Sequence, residues 1–414
     1  MKPVELLIIG AGSRGTTYAE YAIDYPDSAR VVGVAEPRTF HRQQMAERHA
    51  ISPENVVEDW RLLLERPKFA DAIVIALQDA LHAEATIAFA QKGYDILLEK
   101  PMAPDPESCQ RIIEAVMANK NIFAVCHVLR YTNYTQRLKN LVSSGVIGDI
   151  LSIQHLEPVG NWHYAHSYVR GNWRNEAESS FMLLAKSCHD IDWLRYIMGR
   201  RCVQVSSFGS LKHFRKAEKP VLAGEATRCL DCAYEPDCSY SAKRLYLGRQ
   251  EQKRFGWPLN VITTDMTHEG VTEALRNGPY GRCVYECDND VVDHQVVNLL
   301  YDNGATATFT MISTSEMRDR ETIVFGTRGE LRGNGHKIVH YDFLSGQTTE
   351  ISIERPEEDM GHGGGDYGVM RNFVSAVAQH DPSLIITGPQ ESLESHLTVF
   401  AAERARREGL VVPV

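Results

Sequence analysis

Short apolar runs alternate with amphipathic stretches through the first third of the chain. The runs VELLII, ARVVGVA, ADAIVIAL and YDILLE are rich in valine, isoleucine and leucine, which favours buried strands. The stretches between them, such as TTYAEYAI and HAEATIAFAQKG, have the spacing of helices, and the second of these ends in a glycine. Strands that alternate with helices predict a parallel, doubly wound sheet, so we expect an α/β fold.

A glycine-rich loop follows the first predicted strand. Gly10, Gly12 and Gly15 form the pattern G-x-G-x-x-G, and Ser13 and Arg14 lie between the last two glycines. The first glycine permits a tight turn, the second lets the backbone approach a pyrophosphate, and the third lets the helix pack closely on the strand. The order of strand, loop and helix predicts a dinucleotide site at the helix N-terminus; a glycine turn without a ligand is the alternative.

The end of the second predicted strand indicates which dinucleotide is preferred. Glu36 lies there, and a carboxylate at this place suits the ribose hydroxyls of NAD and repels the additional phosphate of NADP. Arg38 is close enough in sequence to weaken that preference. We therefore expect NAD rather than NADP as the cofactor.

Several residues follow the ends of the later strands. In a doubly wound sheet the carboxyl ends of the strands form the edge at which ligands bind. This topology predicts that five further residues lie near the cofactor: Leu77, Gln78, His82, Glu99 and Lys100. For Lys100 the alternative is an ordinary solvated lysine.

Composition excludes some classes of partner. The 414 residues include 44 basic and 54 acidic side chains, a net charge of −10, which argues against binding to nucleic acid or to an anionic membrane. The sequence lacks an apolar run of about 18 residues, so we expect no transmembrane helix. The first residues lack the cleavage pattern of a signal peptide, so we expect a cytoplasmic protein with reduced cysteines.

Over nearly its whole length the chain resembles the Gfo/Idh/MocA oxidoreductases, the family of glucose–fructose oxidoreductase and inositol dehydrogenase. The resemblance rests on the order of short segments: GAGSRG, AEP, EKP, VCHVLRYTN, NWR, CHDIDWLRYIMG and GDYGVMRNFVSAV. It implies an NAD-binding Rossmann domain over 1–125 and an α/β domain over 126–414 that binds substrate and carries a large, mostly antiparallel sheet. Residues from about 208 to 290 exceed the family's usual connection, so we expect an insertion there.

The segment SFMLLAKSCHDIDW, residues 180–193, is predicted to be an apolar helix with Lys186 and His189 on one face. The family's motif has an aspartate where this chain has Ala185, whereas the histidine of the motif is present as His189. The resemblance implies that His189 is the acid/base, and the ordinary pKa of histidine suits that role. The alternative is structural: Lys186 forms an ion pair with Asp190 one turn later, and His189 joins a polar network in the core.

We predict catalytic roles for Lys100, His189 and Lys186. A hydride leaves a carbinol carbon only if the hydroxyl proton leaves too, and His189 is placed to take it. Lys100 is predicted to polarise the reacting oxygen and to contact both cofactor and substrate. Lys186 is predicted to hold a substrate hydroxyl or carboxylate.

The other substrate residues are predicted from a loop that mixes rigid aromatic rings with polar side chains. The loop GNWHYAHSYVRGNWR suits sugar rings, because apolar sugar faces stack on aromatic side chains while the hydroxyls find hydrogen bonds; a packed interface loop is the alternative. Its substrate candidates are Trp162, His163, His166, Tyr168 and Arg170. Farther along, the segment GHGGGDYG adds His362 and Asp366, with a linker as the alternative.

The family resemblance adds residues in two further segments. It implies that Trp173 and Arg174, in NWR, lie next to the cofactor. Within VCHVLRYTN, we expect His127 at the cofactor and Arg130 at the substrate.

A cysteine cluster lies in the expected insertion. Cys229, Cys232 and Cys238 form C-x2-C-x5-C, and Cys283 and Cys287 follow. Because C-x2-C is a common half-site for zinc, the first three cysteines with Cys283 or Cys287 predict a structural zinc site. Unligated thiols are the alternative.

These observations favour an NAD-dependent oxidoreductase that acts on a hydroxyl or carbonyl group of a sugar, polyol or sugar acid. One alternative is a glycosidase or epimerase that uses NAD transiently and releases no NADH. Another is a non-catalytic, NAD-binding regulatory protein. The resemblance also implies a homodimer or homotetramer formed through the second domain.

Overall fold

The structure, a computed structural model, describes residues 2–354 and 362–414, and the strands within them form two sheets. The first sheet has six parallel strands in the order β3-β2-β1-β4-β5-β6. Its strands are β1 (Val4–Ile9), β2 (Ala29–Ala35), β3 (Val56–Val57), β4 (Ala72–Ile75), β5 (Asp95–Leu98) and β6 (Phe123–Val125). The helices between them are α1 (Ser13–Asp24), α2 (Thr39–Arg48), α3 (Arg61–Leu64), α4 (His82–Gln91) and α5 (Pro106–Asn119). This is the doubly wound sheet that the apolar runs predict.

Both faces of the first sheet are buried, which explains why its strands are apolar at consecutive positions. Along β1, Leu6 and Ile8 belong to one core, whereas Leu7 and Ile9 belong to the core on the opposite face. Side chains alternate between the faces of a strand, so a strand covered on both sides needs apolar residues throughout.

The second part of the chain begins with α6 (Asn133–Ser143), β7 (Ile150–Pro158) and α7 (Asn161–Tyr164), followed by a π-helix over Ala165–Arg170. It continues with α8 (Met182–Ala185), α9 (Cys188–Met198) and β8 (Cys202–Ser210). The segment between β8 and the next strand contains a second π-helix (Lys243–Leu247) and the helices α10 (Gly248–Glu251), α11 (Leu259–Ile262) and α12 (His268–Asn277). The remaining strands are β9 (His294–Tyr301), β10 (Thr306–Ile312), β11 (Glu321–Gly326), β12 (Gly329–Gly333), β13 (Lys337–Asp342) and β14 (Thr348–Ser352). The chain ends with α13 (Gly365–Gln379), α14 (Pro389–Glu408) and β15 (Val412–Pro413).

The second sheet has nine strands in the order β14-β13-β12-β11-β7-β10-β9-β8-β15. The pair β7 and β10 is parallel and the other neighbours are antiparallel, as expected for a large, mostly antiparallel sheet. Along β10 buried and partly exposed positions alternate, so one face packs on the helices and the other is more accessible. On the β8 strand, Phe208 is 67% exposed.

The C-terminal helices return to the first sheet. Tyr367, Met370 and Phe373 of α13 are buried in the same core as Leu6 and Ile8 of β1. The first core therefore needs side chains from both ends of the chain. In the described residues, no helix is long and apolar enough to cross a membrane.

The predicted helix over residues 180–193 is wrong in one respect, because it is interrupted. α8 ends at Ala185 and α9 begins at Cys188, with Ser187 at a non-helical φ/ψ of −100° and 9°. The carbonyl of Ala185 instead accepts a hydrogen bond of 3.0 Å from Nζ of Lys100. Lys186 and His189 therefore do not share one continuous helical face.

The segment between β8 and β9 has a small core of its own. Its buried apolar residues are Cys229, Ala242, Tyr246, Leu247, Leu259, Val271, Leu275 and Tyr280. It connects two adjacent antiparallel strands, a connection that needs no more than a tight turn. This supports the predicted insertion.

Candidate functional site

The glycine loop between β1 and α1 has room for backbone alone at two of its glycines. Gly10 has φ of +94°, and a Cβ there would lie 2.4 Å from the carbonyl oxygen of Ala76. A Cβ on Gly15 would lie 1.9 Å from the carbonyl oxygen of Gly10. Gly12 is the residue before the first helical turn, and Ser13 opens the helix. The loop therefore has the turn and the close helix–strand contact that a dinucleotide site requires.

Glu36 lies directly against this loop. Its Oε2 accepts a hydrogen bond of 2.9 Å from the backbone N–H of Ala11, and its Oε1 accepts 2.7 Å from Nε of Arg38. Burial opposes ionisation of Glu36, but the hydrogen bonds from Arg38 outweigh it and lower the pKa of the carboxyl. An ionised carboxylate beside the loop fits the ribose of NAD, and Arg38 donates to the same carboxylate.

The carboxyl edge of the sheet is organised around Lys100. Leu77 and Gln78 follow β4, and both ring nitrogens of His82 lie near backbone oxygens, 2.8 Å from that of Pro101 and 3.2 Å from that of Leu77. His82 is fully buried and joins the loops after β4 and β5, and its contact with the cofactor stays a prediction. The partly buried Lys100 follows β5 and contacts the carbonyl of Ala185.

Arg14 connects the glycine loop to the late segment that contains His362. Its Nε donates to Glu99 at 2.7 Å, and its Nη2 donates to Asp366 at 2.6 Å. Nδ1 of His362 lies 3.2 Å from Asp366. Burial acts against ionisation of Asp366, but the charges of Arg14 and His362 hold the pKa of that carboxyl well below its usual range. Two predicted cofactor residues and two predicted substrate residues thus form one network.

His189 lies next to Lys100 at the centre of a group of imidazoles. The ring centroids of His127 and His362 are 6.0 and 5.8 Å from that of His189. His189 is 4% exposed, and its Nδ1 has no hydrogen-bond partner among the described residues. Burial, followed by the charges of Lys100 and His362, lowers the pKa of His189 well below its usual value. A neutral imidazole with a free nitrogen is the form that accepts a proton.

His127, one of these imidazoles, and Arg130 both lie next to Asp192. Burial lowers the pKa of His127 to about 3, and its Nε2 is 3.7 Å from Asp192. Arg130 is fully buried, and two of its nitrogens donate to Asp192 at 2.7 Å while a third contacts Glu391 at 2.5 Å. These carboxylates engage its guanidinium, so Arg130 ties α9 to α14, and its expected contact with the substrate stays a prediction.

Lys186 forms an ion pair that the sequence did not predict. Its Nζ is 3.0 Å from Glu157 of β7, and Nε of Arg320 is 3.0 Å from the other oxygen of that carboxylate. Arg320 also pairs with Asp190, which lies 3.2 Å from Nε2 of His155. The alternative pairing of Lys186 with Asp190 is therefore wrong. An ammonium group has three donors, so the pair with Glu157 leaves Lys186 further donors for a ligand.

The aromatic loop divides into an accessible part and a buried part. Trp162 and His163 are partly exposed, and the exposed Trp257 lies 5.3 and 5.0 Å from them. Burial and then the charge of Lys186 lower the pKa of His163 well below its usual value, so this ring adjoins the lysine. Tyr168 is buried, with its ring centroid 6.1 Å from that of His163.

The buried part of this loop packs against the insertion. His166 is 2% exposed, its Nδ1 lies 2.7 Å from the hydroxyl of Tyr246, and its ring stacks on Tyr280 at 4.8 Å. Arg170 is 1% exposed and contacts backbone oxygens of the insertion. His166 and Arg170 thus pack as the interface alternative for this loop expects, and the substrate roles predicted for them remain predictions.

Trp173 and Arg174 lie at the border of the insertion. Trp173 is 40% exposed. Arg174 donates to both oxygens of Asp288, at 2.9 and 3.0 Å, and pairs with Glu178 at 2.9 Å. Its guanidinium is thus held by carboxylates, and the implied cofactor contact of this pair stays a prediction.

Four of the five candidate zinc ligands line one cavity, namely Cys229, Cys232, Cys238 and Cys283. The fifth, Cys287, instead points its Sγ at the carbonyl of Cys283, 3.2 Å away. Within residues 2–354 and 362–414, no three His, Cys, Asp or Glu side chains have the spacing of a preformed metal site. The cysteines are unpaired thiols in this structure.

Sequence reasoning missed Glu157, Arg320 and Trp257. Glu157 has a local signal, because it is a charged residue at the apolar end of a strand. Arg320 lies in a stretch rich in charged residues, RDRE, and nothing local distinguishes it from its neighbours. Trp257 is brought to Trp162 by the folding of the insertion.

Comparison with known proteins agrees with this arrangement. Residues 4–127 match the family described as "Oxidoreductase family, NAD-binding Rossmann fold", and residues 139–414 match its C-terminal alpha/beta domain. The putative oxidoreductase YteT of Bacillus subtilis is 23% identical over 309 residues, which cover 72% of this chain and 70% of that protein. The 2,7-anhydro-N-acetylneuraminate hydratase of Mediterraneibacter gnavus is 26% identical over 50% of this chain and 53% of its own length.

A solved structure shows that the fold is shared along the whole chain. Levoglucosan dehydrogenase in complex with NADH and levoglucosan superposes with a TM-score of 0.71 at 18% identity, covering 100% of this chain and 99% of that chain. The two family matches together span nearly all of the sequence, in the order that the two sheets require. The chain belongs to the Gfo/Idh/MocA oxidoreductase family, with an NAD-binding Rossmann domain followed by the family's C-terminal α/β domain.

Proposed function

We propose that this protein transfers a hydride between NAD and a carbon that carries a hydroxyl or carbonyl group on a sugar, polyol or sugar acid. The observation that carries the proposal is the position of His189. A buried, neutral imidazole with an unpartnered nitrogen adjoins Lys100 at the carboxyl edge of a nucleotide-binding sheet.

The residues around the glycine loop fit NAD. The cradle between Gly10 and Gly15 would be filled by any Cβ, and the ionised Glu36 offers acceptors to ribose hydroxyls. When bound, NAD supplies an acceptor for the hydride. Preference for NAD over NADP follows from the carboxylate of Glu36, and Arg38 moderates it.

Each charged group of the site has a role that its geometry supports. Lys100 donates a hydrogen bond to the reacting oxygen and stabilises negative charge there. The neutral His189 takes the hydroxyl proton at its unpartnered Nδ1. Lys186, fixed by Glu157, holds a second oxygen of the substrate and so orients the carbon that loses the hydride.

A carbohydrate substrate is supported by the accessible aromatic rings. Trp162, His163 and Trp257 form a surface of rings within 5 to 6 Å of each other, next to the Lys186 ion pair. Such a surface stacks on the apolar face of a sugar, while the neighbouring charges bind its hydroxyls.

A second candidate function is transient oxidation followed by elimination or addition at neighbouring carbons, with no net release of NADH. It is favoured by a second lysine at the site, Lys186, which is paired with Glu157. One relative is a hydratase of an anhydro sugar, and the alignment covers about half of that protein. A third possibility is an NAD-binding protein without catalysis, which the same test separates.

A substrate screen with purified protein tests these possibilities. Free sugars, polyols, sugar acids, anhydro sugars and aryl glycosides are incubated with NAD while nicotinamide absorbance and product release are followed together. NADH formed in stoichiometry with oxidised sugar is the expected result. Hydrated or cleaved product without net NADH would transfer the assignment to transient redox chemistry. Tight NAD binding without turnover of any compound would contradict both and favour a regulatory protein.

A further inference from the structure

The insertion contains a cavity lined by four thiols from separate turns. Cys229, Cys232, Cys238 and Cys283 surround a space of about 20 Å³ for a water-sized sphere. This is enough room for one particle of the size of a water molecule or a metal ion.

Backbone pairing brings these cysteines together. Arg228 and Arg282 form an antiparallel bridge, and the N–H of Cys283 donates to the carbonyl of Thr227 at 2.8 Å. Cys229 and Cys283 therefore each follow one partner of this isolated bridge. Short 3-10 turns over Cys229–Asp231 and Glu235–Asp237 then lead the chain back to Cys232 and Cys238.

A buried cation faces the same cavity. The guanidinium of Arg170 is 1% exposed and donates to the carbonyls of Arg282 and Tyr240, and its Nη2 lies 3.5 Å from Sγ of Cys229. In the part of the chain that the structure describes, the ion pairs of the molecule include none of Arg170 with a carboxylate. A buried charge without a counter-charge is costly, by several kcal/mol per ion.

The cavity lined by thiols and the buried cation beside it point to one site. We propose that Cys229, Cys232, Cys238 and Cys283 bind one zinc ion as thiolates and that Arg170 balances part of the charge of this centre. Four thiolates around a divalent ion carry a net charge of −2, and an N–H donor to a ligating sulfur is a common outer contact of zinc sites. Cys287 is outside the cavity and is not a ligand.

Binding involves a change at the thiols, since no three of them are at ligand spacing in this structure. A neutral thiol donates a weak hydrogen bond to a nearby acceptor, as the Sγ of Cys229 does to the carbonyl oxygen of Arg282 at 4.0 Å. Zinc displaces the four thiol protons into solvent and draws the sulfurs inward to about 2.3 Å.

The zinc ion would fasten the insertion to the aromatic loop. The insertion has a core of eight buried apolar residues, which is small for a segment of this length. Arg170 ends the π-helix Ala165–Arg170 that also carries His166 and Tyr168. A metal at the thiols therefore stabilises the insertion and the loop next to the proposed substrate site together.

The test is the metal content of the full chain, prepared without a histidine tag and without chelators. We expect about one zinc per chain and an X-ray absorption spectrum of four sulfurs at about 2.3 Å. The variants C229S, C232S, C238S and C283S should each lose most of the zinc. The matched control C287S, four residues after Cys283 on the same segment, should keep it.

Measurements on the unaltered protein keep the test decisive if a serine variant fails to fold. Wild-type protein without zinc, iron bound together with acid-labile sulfide, or nitrogen and oxygen ligands in the spectrum would each overturn the proposal. Equal loss of zinc in C287S and C283S would overturn the choice of ligands. The variant R170M should weaken zinc binding about 10- to 100-fold, because it removes an outer-shell donor.

Discussion

The nucleotide-binding loop and the Lys100–His189 cluster are held in place by different kinds of contact. The backbone sets the shape of the loop. Gly10 has a positive φ, and a carbonyl oxygen occupies the space that a Cβ on Gly15 would need. The carboxylate of Glu36 accepts a hydrogen bond from the same loop. The Lys100–His189 cluster is built from side chains of distant segments, because Lys100 follows β5 and His189 lies in α9. A backbone site is thus encoded within a few residues, whereas a side-chain site needs the whole fold.

The largest expected effect is the loss of turnover when the Lys100–His189 cluster is altered. His189→Ala should lower kcat about 10²- to 10⁴-fold, because it removes the proton acceptor. Binding of NADH, followed by its fluorescence, should stay within about twofold, since the glycine loop is untouched. His268→Ala, on the exposed start of α12, is the control and should behave as wild type. Unchanged turnover of His189→Ala would remove His189 from the mechanism.

The next largest effect is the loss of stability and of NADH binding when the glycine loop is altered. Gly15→Ala places a methyl group 1.9 Å from the carbonyl oxygen of Gly10, so the free energy of unfolding should fall by about 2–3 kcal/mol and NADH binding should weaken. Gly248→Ala is the matched control, since a Cβ there meets no atom within 4 Å and alanine favours a helix start. Denaturant unfolding with and without NADH measures both. Equal stability of the two variants would show that the loop is not constrained by its backbone.

A smaller effect is expected on cofactor choice. Glu36→Gln keeps the shape of the side chain and removes its charge, so the preference for NAD over NADP should fall about 10- to 30-fold. The ratio of dissociation constants for NADH and NADPH measures this change. Glu58→Gln, an exposed carboxylate nearby, should leave the ratio as it is. An unchanged ratio in Glu36→Gln would assign the preference to another residue.

The smallest effect is a difference in acid sensitivity. Burial lowers the pKa of His163, His166 and His189, so each is neutral in the folded protein near pH 6, whereas the unfolded chain binds the proton. Their contribution to stability is complete above pH 6.5 and falls as the pH decreases below it, by about 1 kcal/mol per pH unit for each histidine.

Hydrogen exchange by segment detects this difference. After correction for the intrinsic exchange rate, residues 161–198 should lose protection between pH 6.5 and 5. Residues 4–24, which contain the glycine loop and lack histidine, should keep theirs. Equal loss in both segments would show that the two sites unfold as one unit.

The chain pattern predicted those features that depend on neighbouring residues. Apolar runs predicted four of the six parallel strands, β1, β2, β4 and β5, and with them a doubly wound sheet, because strands buried on both faces must be apolar throughout. The glycine spacing predicted the loop after β1, because the positive φ of Gly10 and the contact between Gly15 and the carbonyl of Gly10 are requirements within the loop itself. The sequence did not predict the interruption between Ala185 and Cys188, where the carbonyl of Ala185 accepts a hydrogen bond from the distant Lys100.

The sequence by itself determined the two-part α/β fold, the nucleotide loop with its carboxylate, and the chemical types of the site residues. Only the tertiary structure decided which charges meet: Lys186 pairs with Glu157 rather than Asp190, and Arg130 is buried against Asp192. The physical reason is the distance along the chain over which each interaction acts. Backbone conformation and apolar periodicity act over a few residues, whereas an ion pair joins whichever charges the fold brings within about 4 Å.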